Sequence, residues 1–194
     1  MNLIKTRILI CLLFTSLLPL ACRSSNPPTY HINEDVDFSF IKKVAVMPLE
    51  NMTSDKSAGE IMRHLVISEM LASGLADVVV PGEVIHAVND LGIKNISSLS
   101  RKQIISLGRA LRVQALIMGS VQQYGHVRLT NVSAPEVTIT LMMADTGTGD
   151  IIWSVTKTRG GASFMVSHFG AKSETISEAA LATVREALET LSAY

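Results

Sequence analysis

Apolar and polar positions alternate along the chain in a small number of patterns, and these patterns predict its elements. Residues 42–49 (KKVAVMPL) form a short, mostly apolar run that Pro48 and a following polar cluster end, as expected of a buried strand. The run 112–125 (RVQALIMGSVQQYG) is apolar on both faces in its first half and more polar in its second. We therefore interpret it as the central strand, which enters the sheet beside parallel neighbours and leaves it beside antiparallel ones.

Four segments repeat apolar residues at the spacing of a helix. The first begins near Ser57, whose spacing to Glu60 predicts a capping box. A second follows Pro81, and a third begins at Ser100 with another predicted capping box. The last covers about 173–191, where apolar residues fall on one side and charged residues on the other.

Strand patterns account for much of the remaining chain. Residues 76–80 form a short apolar run, 136–142 (EVTITLM) alternate in polarity, and 150–156 (DIIWSVT) are mostly apolar. Turn-forming residues at 145–149 join the last two into a hairpin. The order β-α-β-α-α-β-β-β-α predicts a single α/β domain, with a mixed sheet of about five strands and helices packed on its faces. We expect the spatial strand order second, first, third, fourth, fifth.

The N-terminus has the three-part layout of a secretory signal. Lys5 and Arg7 precede a short apolar run, and a Leu-Ala pair then precedes Cys22. This ending resembles a bacterial lipobox, in which the cysteine carries the lipid, although Pro19 stands where that motif usually has an aliphatic residue. An ordinary signal that is cleaved near Ala21 is the alternative.

The cysteine content agrees with a lipid anchor. Cys11 leaves with the signal, so Cys22 has no disulfide partner in the mature chain. Several acyl chains, at about 0.8 kcal/mol per buried methylene, would hold the protein firmly at a membrane surface. We expect residues 1–21 to be the lipoprotein signal peptide, 22–38 a polar tether and 39–194 the folded domain.

Charge limits the classes of partner. The chain has 17 basic and 17 acidic residues, and loss of Lys5 and Arg7 with the signal gives a mature net charge of about −2. A nucleic-acid-binding protein would carry a basic stripe, which this sequence lacks. Arg23 directly after the lipid-bearing cysteine resembles outer-membrane sorting. We therefore expect the protein on the periplasmic side of the outer membrane, with the cell surface as the alternative.

Catalytic and metal-binding patterns are weak. The triplet Asp145-Thr146-Gly147 matches the aspartic-protease motif, but the chain has one copy, in the predicted hairpin turn. A calcium loop at that place would lack the alternating acidic ligands and the terminal glutamate. None of the five histidines lies three or four positions from another. We predict no catalytic residues, no metal site, no cofactor and no small-molecule substrate.

The glycine-rich segment 159–172 contains an apolar group, namely Phe164, Met165, Val166 and Phe169. Burying such side chains is worth about 1.5–3 kcal/mol each, so they are unfavourable in water unless something covers them. They either fold back over the sheet edge as core or contact another molecule. We predict a contact with a partner protein or with a second copy, and keep the core as the alternative.

Three motifs together resemble a known superfamily: KVAVMPLEN at 43–51, ALIMGSV at 115–121 and TGDIIWS at 148–154. Over about 40–191 the chain is similar to the CsgG-like lipoproteins, which include the curli secretion channel subunit, activators of peptidoglycan synthases and small surface lipoproteins. The resemblance implies the fold and the lipid on Cys22, and it supplies no active-site residues.

The resemblance also bears on function. Channel-forming members insert hairpins after the central strand and before the last helix, and each hairpin needs two strands of about 9–11 residues to cross a bilayer. The matching connections here, 125–135 and 159–172, are too short, so we predict no membrane pore. We expect a non-enzymatic assembly or accessory module in cell-envelope biogenesis or secretion, which binds an envelope protein or itself. An activator that docks on a peptidoglycan synthase is the alternative, and a hydrolase or metal-dependent enzyme is a remote one.

Overall fold

The computed structural model describes residues 29–129, 132–160 and 174–192. Within these ranges it has seven strands, β1 (Thr29–Ile32), β2 (Lys43–Val46), β3 (Glu50–Asn51), β4 (Asp77–Val78), β5 (Ala115–Leu129), β6 (Val132–Asp145) and β7 (Ile151–Gly160). The α-helices are α1 (Ala58–Ser73), α2 (Pro81–Asp90), α3 (Arg101–Leu111) and α4 (Ile176–Ser192), with a 3-10 turn at Phe38–Phe40. The predicted α/β class is confirmed, with seven strands where about five were expected.

All seven strands form one mixed sheet. Its order is β1-β7-β6-β5-β2-β4, and β3 pairs with β5 beyond the end of β2. The central strand β5 is parallel to β2 and β3, at 115–117 and 120–121, and antiparallel to β6 from Ala115 to Leu129. The predicted mixed environment is correct, but the antiparallel neighbour accompanies the apolar half as well as the polar one. The part β4-β2-β5-β6-β7 has the predicted spatial order.

Strand β1 is not predicted by the sequence pattern. It lies inside the range expected to be a tether and pairs antiparallel with β7, with Ile32 opposite Trp153. Ile32 is 9% exposed and packs against the core. A four-residue edge strand with one inward apolar side chain has too little periodicity to be recognised among polar neighbours. The ordered fold therefore begins at Thr29 at the latest.

The β5–β6 hairpin is longer than predicted. Within 125–135, expected to be a loop, residues 125–129 and 132–135 continue the two strands, so that His126 lies opposite Pro135. Pairing of β6 with β7 stops at Glu136 and Gly160. The four residue pairs formed by 126–129 and 132–135 lie beyond the last described pair of β6 and β7.

The sheet buries a core on each face. Helices α1 and α4 cover one face, the α1–α4 face, where Trp153 and Ile117 are fully buried. Helices α2 and α3 cover part of the other, the α2–α3 face, where Leu116 packs with Leu107. Ile117 and Leu116 lie on opposite faces because side chains alternate along a strand, as the sequence predicts.

Helix starts show which capping predictions are correct. At α3, Ser100 and Gln103 form the predicted capping box, and the Gln103 N–H donates to Ser100 Oγ at 3.4 Å. The box predicted at Ser57 is wrong, because the backbone of Ser57 is already helical and its side chain makes no cap. Its N–H donates instead to Asp55 Oδ1 at 2.8 Å, so the aspartate of the preceding turn closes this end of α1.

Candidate functional site

The site residues predicted from the sequence lie outside the described residues. They are Cys22 and the group Phe164, Met165, Val166 and Phe169. We call residues 161–173 the apolar segment. Its flanking residues, Gly160 and Glu174, are described, and they show where the chain leaves the fold and returns to it.

Four charged side chains meet where the apolar segment begins and ends. Arg159, next to last in β7, donates from Nε to both carboxylate oxygens of Glu174 at 3.0 Å. Its Nη1 donates to Glu186 of α4, and Lys157 Nζ lies 2.6 Å from the other oxygen of Glu186. Since Glu186 lies on α4, this charged cluster holds both flanks of the segment at the α1–α4 face.

Burial strengthens the charged cluster relative to a surface ion pair. The Lys157 side chain is 3% exposed and that of Glu186 is 22% exposed, so water and salt screen their attraction weakly. The hydrogen bond to Glu174 holds the pKa of Arg159 above its ordinary value. Sequence analysis misses the cluster: Lys157 and Arg159 share a strand face, but their glutamate partners lie far along the chain.

A pocket of about 320 Å³ opens on the α2–α3 face. Five of the apolar side chains that line it are Ile96 and Leu99 before α3, Met118 on β5, Met142 on β6 and Ile151 at the start of β7. Ile151 is 40% exposed, so the pocket is open to solvent at this side. The volume falls at the lower end of the range of ligand sites, about 300–1,000 Å³.

Two charged residues contribute to the lining of the pocket, Glu50 and Arg101. Arg101 Nη1 donates to the carbonyl oxygen of Thr148 at 2.8 Å, and Nη2 pairs with the carboxylate of Asp150. The hydrogen bond between Arg101 and the Asp150 carboxylate holds the pKa of Asp150 below its ordinary value. The guanidinium group therefore ties α3 to the β6–β7 turn, and Ser97, Ser98 and Ser120 add further polar groups to the lining.

Sequence analysis misses the pocket, because its residues come from separate elements. Met118 and Met142 are directly opposite each other in the β5–β6 register. This pairing of two methionines is the one feature of the sequence that indicates the pocket, and recognising it requires the β5–β6 register to be known.

Beyond the pocket the α2–α3 face carries a polar ladder. Thr140 lies between Gln122 and Thr156 and is hydrogen-bonded to each at 2.9 Å. Thr138 and Thr158 pair in the same way at 3.0 Å. These side chains satisfy one another across the strands, which is typical of a solvated sheet face.

The residues that suggested enzyme chemistry have structural roles. The carboxylate of Asp145 accepts from the N–H groups of Gly147 at 2.8 Å and Thr148 at 3.3 Å, so it closes the β6–β7 turn as the turn interpretation predicts. Within 29–129, 132–160 and 174–192, no three His, Cys, Asp or Glu side chains are grouped to hold a metal ion. The helices described there include none with the length and apolarity needed to span a membrane.

The described residues form a small α/β domain, and its fold is similar to that of two solved bacterial proteins. The PelC dodecamer from Paraburkholderia phytofirmans matches with a TM-score of 0.59 and 20% identity, over 84% of this chain and 95% of that one. Lipoprotein GNA1162 from Neisseria meningitidis matches with a TM-score of 0.51 and 18% identity, over 62% of this chain and 83% of that one. No family model and no curated protein matches the sequence, so these similarities establish the fold.

Proposed function

We propose that this chain is a lipid-anchored lipoprotein of the outer membrane, facing the periplasm, which works by binding and not by catalysis. It acts as an assembly or accessory module in envelope biogenesis or secretion, and it associates with copies of itself. The observation that carries the proposal is the fold. The fold is shared over most of the chain with PelC, which was solved as a dodecamer, and over a smaller part of it with lipoprotein GNA1162.

The short distance from the anchor to the fold supports this arrangement. Six residues lie between Cys22 and Thr29 in β1, and the seven Cα–Cα steps across them span at most about 25 Å. A tether that ended at residue 38 would have allowed about twice that distance. The domain therefore stays close to the membrane surface, where neighbouring copies meet at high local concentration.

The apolar segment supports self-association. The charged cluster ties the residues on both sides of it to α4. The segment is thereby attached to the fold at one fixed place, and its sequence supplies four large apolar side chains that suit contact with another protein.

The lipid anchor is tested by expressing the full chain in a Gram-negative host and comparing it with Cys22→Ser. We expect the unchanged protein in the outer-membrane fraction with an acylated N-terminal cysteine, and Cys22→Ser without acyl chains and out of that fraction. Cys11→Ser, inside the predicted signal, is the matched control and should behave as the unchanged protein. Acylation and membrane fractionation that survive Cys22→Ser would show that the anchor is elsewhere.

Self-association is tested on the membrane-extracted protein by light scattering over a range of concentrations. We expect a defined oligomer. A monomer at every concentration would contradict the assembly role.

A further inference from the structure

We propose that one edge of β5, at residues 123–129, pairs with the same edge of a second copy of the chain, as two antiparallel strands related by a two-fold axis. This inference rests on the self-association proposed above and names the contact that produces it.

Strand β5 continues beyond the strands that cover one of its sides. On that side β2 and then β3 pair with it, and the N–H of Met52 donates to the carbonyl oxygen of Val121 at 2.9 Å. Among the residues that the structure describes, no strand pairs with this side of β5 past Val121. The opposite side stays paired with β6 as far as Leu129. We call the uncovered side of residues 123–129 the free edge.

The β5–β6 register shows which backbone groups point to the free edge. In an antiparallel pair of strands, residue pairs that exchange two hydrogen bonds alternate with pairs that exchange none. Pro135 has no N–H, so Pro135 and His126, which lies opposite it, form a pair that exchanges none. By alternation, Tyr124 and Arg128 belong to pairs of the same kind. The N–H and C=O groups of Tyr124, His126 and Arg128 therefore point away from β6.

The first half of β5 leads to the same assignment. The carbonyl oxygen of Val121 accepts from Met52, so it too points away from β6. The register shifts between Val121 and Gln123, which adds one residue to β5. After this bulge, the next residue with the orientation of Val121 is Tyr124 and not Gln123.

The sequence of the free edge leaves it open to strand pairing. Natural proteins often block exposed edges with proline, lysine or other charged residues. Residues 123–129 (QYGHVRL) contain no proline, no lysine and no acidic residue, whereas the other strand of the hairpin contains Pro135. The bulge in β5 comes before this stretch and does not interrupt it. An edge of this kind is a template on which another strand can add.

One register uses every outward-pointing group of both copies. Pairing centred on His126 places it opposite His126 of the second copy and places Tyr124 opposite Arg128, so three pairs exchange two hydrogen bonds each. A shift by two residues in either direction leaves two such pairs. The free edge is thus complementary to itself about a two-fold axis, which is the symmetry of most dimers. This self-complementarity assigns it to a second copy of the chain.

The side chains agree with this register. Opposite residues of neighbouring strands share a face of the sheet, so the exposed Arg128 would lie beside Tyr124 of the second copy. Tyr124 packs against the core of the α1–α4 face. Burial, and after it the nearby carboxylate of Asp55, holds the pKa of Tyr124 above its ordinary value. The guanidinium group would therefore meet an aromatic ring and an acidic side chain, and it is attracted to both.

Proline at the centre of the free edge tests the inference on the membrane-extracted full chain. His126→Pro removes an N–H that β6 does not use, so the fold should remain, whereas both hydrogen bonds of the central pair between copies are lost. We expect the apparent dissociation constant of the oligomer, measured by light scattering, to rise at least about tenfold. Circular dichroism checks that the variant is folded.

Tyr30→Pro is the matched control at another edge of the sheet. Asn33 donates its N–H to the carbonyl oxygen of Ile152 at 2.9 Å, so alternation directs the N–H of Tyr30 away from β7. This variant also loses an outward-pointing N–H of an edge strand. It should leave the dissociation constant unchanged.

Cross-linking gives an independent readout if His126→Pro disturbs the hairpin. In the proposed register the two Cα atoms at position 126 lie about 5.5 Å apart, a separation that a disulfide bond can span. Mild oxidation of His126→Cys should therefore join position 126 of one copy to position 126 of the other. Arg128→Cys is the matched control, exposed on the same strand, because its two positions would lie about 14 Å apart. Mass spectrometry of the linked peptides identifies the residues that are joined.

The outcomes separate this inference from the proposed function. The free edge is refuted, while self-association stands, if the oligomer is unaffected by His126→Pro or is weakened equally by Tyr30→Pro. Absence of a link at position 126, or equal linking of Arg128→Cys, refutes the register and the contact. An unchanged protein that is monomeric at every concentration refutes both this inference and self-association.

Discussion

Gly108 of α3 is a position where one methyl group should destabilise the fold. A Cβ there would collide with the side chain of Thr146 and lie 2.8 Å from its Oγ1, whereas non-bonded heavy atoms pack best at about 3.5–4.0 Å. Thr146 cannot turn away without cost, because its hydroxyl group donates to the carbonyl oxygens of Val113 at 2.6 Å and Gln114 at 2.9 Å. In Gly108→Ala, therefore, α3 and the β6–β7 turn must separate.

The expected cost of Gly108→Ala follows from three opposing contributions. Helix propensity alone favours alanine by about 1 kcal/mol. Overpacking costs about 1–3 kcal/mol, and a lost hydrogen bond that leaves a buried group unpaired costs about 1–3 kcal/mol more. We expect a net loss of about 1–5 kcal/mol in the free energy of unfolding, with a central value of about 3 kcal/mol. For a domain of this size that range lowers Tm by about 2–20 °C.

Urea unfolding followed by circular dichroism measures this difference, using the mature chain with Cys22→Ser to keep it in solution. Gly82→Ala in α2 is the matched control, because a Cβ at Gly82 meets nothing within 4 Å. Gly82→Ala should raise the free energy of unfolding by up to about 1 kcal/mol, because alanine has a higher helix propensity than glycine. If Gly108→Ala proves as stable as Gly82→Ala, the argument from the Thr146 contact is refuted.

Three further changes test particular contacts. Ser100→Ala removes the cap of α3 and should cost about 1 kcal/mol in urea unfolding, whereas Ser100→Asp, which keeps an acceptor, should not. Trp153→Phe removes the donor that reaches Thr190 Oγ1 at 3.0 Å and leaves space in the core, so a loss of about 1–3 kcal/mol is expected, and an unchanged midpoint would contradict it. The pKa of Asp150 is lowered, so its pairing with Arg101 stabilises the fold at pH values above the ordinary carboxyl pKa. This stabilisation is lost as the pH falls below about 4. Arg101→Gln should raise the pKa of Asp150 in an NMR titration, and an unchanged pKa would exclude the pairing.

Local periodicity explains which parts of the fold were predictable. β5 and the β6–β7 hairpin have enough alternating positions and turn residues for the sequence to predict both that they are strands and which strands they pair with. β1 has four residues, and β3 has two. Strands this short are stabilised by their partners in the sheet and are too short to show a periodic pattern of their own. They can therefore be recognised only when the rest of the sheet is known.

The ends of elements depended on competing local contacts. Ser57 and Ser100 both precede a suitable partner by three residues, yet only Ser100 forms the capping box. Asp55 binds the N–H of Ser57 and favours another geometry at that end of α1. Spacing alone does not distinguish these two cases, because the deciding residue lies outside the motif.

The candidate site was predictable only where it is local. The apolar group at 164–169 stands out because its composition contradicts its glycine-rich surroundings. The charged cluster and the pocket bring together residues that are far apart in the chain, so the sheet register has to be known before either can be recognised.

The two faces of the sheet are covered to different extents, and this difference determines how copies can meet. On the α1–α4 face, the helices and the charged cluster bury the sheet and fix the flanks of the apolar segment. On the α2–α3 face, α2 and α3 leave the pocket and the polar ladder open. A copy that docks on the α2–α3 face would therefore meet the pocket and the polar ladder, whereas a copy that docks on the α1–α4 face would meet helices and fixed charges.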